Sequence, residues 1–133
     1  MAGVSAYGAY SLLNWALAGA GTTPTRPAAW AVGLTTGVPS STSGSEVGTG
    51  SGWTRATCPF PAAASPAGSA SNTGAMTFGA GLTAATFSGL QLWDTSAATA
   101  GNMLFYGTLA TPRTLGVGDS LVIAAGALVI TLQ

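Results

Sequence analysis

Six side chains carry all the formal charge of this 133-residue chain: Arg26, Arg55, Arg113, Glu46, Asp94 and Asp119, with neither Lys nor His. Charged residues are 5% of the sequence, against about 25% in an ordinary soluble domain. A single domain of this size buries roughly 70% of its chain surface and leaves the rest to face something else. Here that remainder has to be covered by Ser, Thr, Gly and Ala, at a net charge of zero, where self-association is favoured. The expectation is a surface that meets other protein chains. The alternative is a small monomer solubilised by its hydroxyls.

The same scarcity excludes chemistry. Three Arg and no Lys leave no electrostatic footprint for nucleic acid and no polybasic patch for an anionic membrane. Ser-His-Asp, Cys-His and S-x-x-K arrangements are impossible without His and Lys. Glycoside hydrolysis needs two carboxyls together, but Glu46, Asp94 and Asp119 are far apart in sequence. Asp94 (in Trp93-Asp94-Thr95-Ser96) and Asp119 (after Gly118) sit in turn contexts, where Asp caps its own backbone. Gly48-Thr49-Gly50-Ser51-Gly52 lacks the Lys and the helix of a phosphate-binding loop. The single cysteine, Cys58, is too little for an internal disulfide or a thiolate metal cage and is expected to be buried and inert. No catalytic residue, metal site or cofactor is expected. An all-oxygen Ca²⁺ site has no spacing to support it. Sugar stacking on Trp15, Trp30, Trp53 or Trp93 stays open, although aromatics at strand or helix period more often belong to a core.

No basic residue precedes the N-terminal apolar stretch, so the n-region of a secretory signal is lacking. The longest apolar block, Leu121 to Leu132, has twelve residues, short of the ~20 that cross a bilayer as a helix. It is expected as two buried strands, and no membrane partner is expected.

Val4 to Ala18 places Tyr7, Tyr10, Leu13 and Leu17 at spacings of three, three and four, widened by Leu12, Trp15 and Ala16. That periodicity predicts a helix with Ser5 as its cap, stopped by Gly19, Gly21 and Pro24. From Ala28 the period becomes two: Trp30, Val32 and Leu34 share one face, and Ala29, Ala31 and Gly33 the other. Small residues opposite large ones imply a second close-packed surface. Strands are expected at 53–60, 75–78, 82–87, 89–94, 102–110, 113–117, 121–125 and 128–132, with Leu128, Ile130 and Leu132 on one face and Gly118-Asp119 closing a hairpin. Residues 37–52 and 61–74 are Gly/Ser-rich loops. The prediction is a mainly β chain: a single antiparallel β-sandwich or jelly-roll-like domain over 22–133, preceded by a short N-terminal helical segment over 1–21.

Several segments together resemble a family of small tailed-phage virion proteins, often labelled tail-fibre proteins and in some virions similar to capsid decoration (cement) proteins. They are Ser5-Ala6-Tyr7 with Leu12-Leu13-Asn14; Trp30-Ala31-Val32-Gly33-Leu34; Glu46-Val47 followed by Gly52-Trp53-Thr54-Arg55; Gly101-Asn102-Met103-Leu104-Phe105-Tyr106-Gly107 after Trp93-Asp94; and Gly118-Asp119-Ser120 with Ala125-Gly126-Ala127-Leu128. The resemblance implies a non-enzymatic structural role in the virion, assembled in the host cytoplasm. On that basis the expected function is capsid decoration. A homo-oligomer, expected as a trimer, would sit on the major capsid protein, its helix and Gly/Ser arms lying across capsid subunits and stabilising the shell by mass action. The alternative is a tail-fibre or tail-tip component that touches a host receptor or glycan. Tyr7, Tyr10 and Trp15 are the candidate partner-binding residues; the competing expectation is that they pack on the chain's own sheet.

Overall fold

The computed structural model describes residues 2–17, 27, 29–42, 45–61, 68–98 and 100–131. The expected helix stop at Gly19, Gly21 and Pro24 lies outside them, as do Arg26 and Leu132. In chain order the elements are β1 (Ala2–Val4), α1 (Ala6–Leu17), β2 (Ala31–Thr35), a 3-10 turn (Thr49–Ser51), β3 (Ala56–Thr57), β4 (Ser69–Ser71), β5 (Met76–Phe78), β6 (Ala85–Trp93), β7 (Met103–Leu115), β8 (Leu121–Ile123) and β9 (Val129–Thr131). The fold is mainly β with one α-helix, as expected.

One sheet has the order β1-β7-β6-β2-β3, and two ribbons, β4-β9 and β5-β8, complete the β structure. All of these pairs are antiparallel. Register makes the core. Val32 lies opposite Leu92 and Leu34 opposite Leu90, while Leu92 lies opposite Phe105. Side chains alternate across a strand, so these residues share one face of the large sheet. The ribbons bring Met76, Phe78, Leu121, Ile123, Leu128 and Ile130 against that face, with Trp53, Cys58 and Phe87 filling between. Each such side chain, when fully buried, contributes about 1.5–3 kcal/mol. This is a sandwich-like arrangement. Among the described residues no helix is long and apolar enough to cross a membrane.

The second packed surface implied by the small residues of β2 is present. All five residues of β2 are buried, and a Cβ on Gly33 would collide with the Glu46 carboxylate. Other expectations change. Segments 82–87 and 89–94 belong to one strand, β6, and 102–110 and 113–117 largely to another, β7. The sequence breaks between them mark a ladder irregularity. Phe87 pairs with Arg113 but Gly89 with Thr108, so residues 109–112 lie opposite Ser88 alone. Pro112, which cannot donate to a ladder, falls in that bulge. Gly118-Asp119 makes a turn but closes no hairpin: β8 pairs with β5. The turn is instead tied to Gly81, whose N–H donates to Asp119 O at 3.1 Å and whose O accepts from Gly118 N at 2.8 Å. The strand expected over 53–60 contracts to β3; Trp53, Arg55 and Cys58 on either side of it are buried, and Cys58 N still donates to Trp30 O at 2.7 Å. The Gly/Ser-rich stretch 61–74 contains β4, locked by buried Asn72. Its amide donates to Gly74 O and Ala124 O at 2.7 and 2.9 Å and accepts from Leu128 N at 2.9 Å.

Candidate functional site

The N-terminus is built outward from Ser5. Its backbone N–H donates to Leu104 O at 2.7 Å, and its hydroxyl donates to Met103 O while accepting from Gly8 N at 2.9 Å. Ser5 is thus the helix cap the sequence implies, and it also fastens α1 to β7. Gly8 completes the seat: a Cβ there would lie 2.7 Å from Leu104 O. Gly8 is the one buried residue of α1.

That contact decides which way the helix faces. At 100° per residue, Tyr10, Leu13 and Leu17 point away from Gly8, with Tyr7 beside them. Tyr10 is 66% exposed, Leu13 57% and Leu17 78%. Leu12 and Trp15 lie on the Gly8 side but further along, and each is still about half exposed. Of the three candidate partner-binding residues, Tyr7 is 45% and Trp15 55% exposed. They share one helix without packing into the core. Exposed apolar side chains of this kind make α1 the candidate contact surface of the chain.

A groove of about 280 Å³ opens on the core side of the large sheet, between β1–β7 and β9. Its walls include Val4, Leu90, Phe105, Leu128 and Ile130. Its polar lining residues are Gln91, Tyr106, Thr108 and Thr131, and none of the lining residues is Asp, Glu, Lys, Arg, His or Cys.

Four of the six charged residues, Glu46, Arg55, Asp94 and Asp119, are drawn into structural roles. Arg55 donates through Nε and Nη2 to the two oxygens of Glu46, at 2.6 and 2.8 Å. Its Nη1 reaches the carbonyls of Thr95, Ala97 and Ala100 at 2.8–3.0 Å. Its Cζ sits 3.8 Å from the centroid of Trp93. The pair is the knot that joins the 46–55 segment to the loop after β6. Nothing in the sequence nine residues apart announces it, although acid and Arg both stand in one of the resembling segments. Asp94 accepts from Asn102 N and Nδ2 at 2.7 and 2.9 Å, and Asp119 from Gly116 N at 2.7 Å. Both acids are turn caps, as their contexts imply. Among the described residues no group of three or more His, Cys, Asp or Glu comes together. Cys58 is fully buried, and burial pushes its thiol from 9.0 to about 11. Trp53 is buried edge-to-face against Phe87 at 5.1 Å and donates from Nε1 to Thr83 O at 3.0 Å. Trp15 is therefore the tryptophan that stands out from the body.

The family model described as podophage GP4 fiber I protein gp80 matches residues 3–131. The chain belongs to this family. The match runs from β1 to the end of β9, so helix, sheet and ribbons all fall inside the fiber I family pattern. It agrees with the resemblance to small tailed-phage virion proteins. No curated protein matches the sequence.

Proposed function

We propose that this chain is a non-enzymatic structural subunit of a phage tail fibre, built into the virion by contact area. The observation that carries the proposal is the orientation of α1, whose apolar stripe is turned away from the chain's own core. Ser5 and Gly8 hold the helix in that pose before any partner arrives, which lowers the ordering cost of docking. Tyr and Trp are the side chains that most often dominate such contacts, and Tyr7, Tyr10 and Trp15 stand at the surface. Repeated in a particle, modest contacts add through multivalency. The fiber description of the family favours the tail.

Capsid decoration uses the same helix seated on the major capsid protein, and copy number separates the two. A few to a few dozen copies per particle support the fibre; hundreds support the head. The test of the docking role is a Tyr10→Ser/Trp15→Ala double variant supplied during phage growth. Incorporation into purified particles is expected to fall while the purified variant keeps its β-sheet circular dichroism. Wild-type incorporation with an intact fold would reject the assignment.

A further inference from the structure

The large sheet and the β4-β9 ribbon leave one side of the core open. β1 ends the large sheet, and β9 has β4 alone as its partner among the described strands. The groove of about 280 Å³ is bordered by both strands and reaches the buried core residues Val32 and Leu92. Leu90, Phe105, Leu128 and Ile130 line it, packed against that core yet only half-buried. Both bordering strands also turn peptide groups outward. In an antiparallel ladder, residues bonded to the partner strand alternate with residues whose N–H and C=O point away. Ser5 N donates to Leu104 O at 2.7 Å, so Gly3 also faces β7, while Ala2 and Val4 turn away from it. Asn72 N donates to Leu128 O at 3.1 Å, so Ile130 faces β4, while Val129 and Thr131 turn away. Neither edge carries the Pro or the charge that blunts a free strand.

We propose that this groove takes an extended, uncharged strand from another virion protein, which pairs with the edges of β1 and β9 and covers the open side of the core with alternate apolar side chains. The proposal rests on the structural-subunit reading and names the chemistry of a partner. The two edges decide that chemistry. A lipid chain or an apolar small molecule would fill the groove but strip water from the outward peptide groups without bonding them, which is costly. A polypeptide backbone satisfies both edges, and its alternation sends every second side chain into the groove. No lining residue is charged, so a charged side chain sent inward would be buried without a counterion. A second copy of this chain fits less well. Its alternating segments, β2, β6, β7 and β9, are already paired in its own sheets. It has none of these to lend without opening its own sandwich.

The test uses the purified full chain and the peptide acetyl-TVTVTVT-amide as the probe strand. The peptide acetyl-TTTTVVV-amide has the same composition without the alternation. Hydrogen exchange read by NMR is expected to slow at the amides of Ala2, Val4, Val129 and Thr131 with the first peptide and to stay unchanged with the second. Val129→Pro removes an outward N–H and no bond to β4, and Ala2→Pro does the same on β1. Each is expected to weaken binding of the first peptide about tenfold while keeping the wild-type circular dichroism; where Val129→Pro disturbs the fold, Ala2→Pro carries the test. Four results would overturn the proposal: equal binding of the two peptides, binding of neither, folded Pro variants that bind like the wild type, or photo-crosslinks from position 129 in phage particles that join only copies of this chain. If the peptides fail while the Tyr10→Ser/Trp15→Ala protein is still excluded from particles, the strand-addition proposal falls and the structural-subunit reading stands.

Discussion

At the scale of single residues, a few polar contacts tie the segments of this weakly charged protein together. Arg55 is buried with its side chain 2% exposed, and Glu46 neutralises it through two parallel bonds. Removing one member of such a pair leaves a buried charge without its counterion, at a cost of about 3–5 kcal/mol. Glu46→Ala is therefore expected to shift a urea unfolding midpoint sharply downward. Arg55→Lys should not substitute for Arg55, because an ammonium lacks the planar fork that meets both carboxylate oxygens. An unchanged midpoint in either variant would show that the knot is not structural. Cys58 gives a pH prediction. In the folded protein its thiol keeps its proton to about 11, against an ordinary value of 9.0. Its favourable contribution is complete below 9.0 and is lost as pH rises from there to about 11. Alkylation at pH 8 should proceed only in denaturant, and rapid labelling of native protein would contradict this burial. The role of each aspartate is legible from its turn context. The Glu46–Arg55 pair is not, because nothing local joins two charges across two elements and a loop.

At the scale of elements, α1 shows where periodicity stops being informative. The period predicts a helix and Ser5 predicts its start. The two polar residues of α1, Ser11 and Asn14, are half-buried while Tyr10, Leu13 and Leu17 are exposed, so the polar pattern does not tell which face is buried. That choice is made by Gly8, where absence of a side chain allows backbone contact with Leu104 O. Ala is the better helix former by about 1 kcal/mol, yet Gly8→Ala is expected to destabilise, because the clash is with backbone that cannot swing aside. Ser5→Ala should cost about 1–2 kcal/mol, since it removes a cap and leaves a buried acceptor. Thermal denaturation of both variants checks this, and a rise in Tm for Gly8→Ala would show that α1 is not seated as described. The strands divide in the same way. β2, β6 and β7 announce themselves through alternation and aromatic content. β4, built of Ser and Ala, has no hydrophobic signature, because its place is set by backbone pairing and by Asn72. β1 is too short to show a period, and its Gly3 lies beneath the Tyr106 ring.

At the scale of the whole molecule, a mainly β sandwich is legible because short alternating strands with frequent turns leave few other ways to bury their apolar faces. The order β1-β7-β6-β2-β3 is not, since its pairings join distant parts of the chain through contacts that leave no local mark. Scarcity of charge is legible from composition alone, and its consequence is visible at α1, where apolar side chains remain uncovered by the subunit's own fold. On the proposed function this uncovered surface is covered inside a virion. Locating the protein on purified phage particles by antibody labelling and electron microscopy tests that most directly. Label on the tail, at a few to a few dozen copies per particle, is the predicted result, and mature particles without the protein would contradict the account.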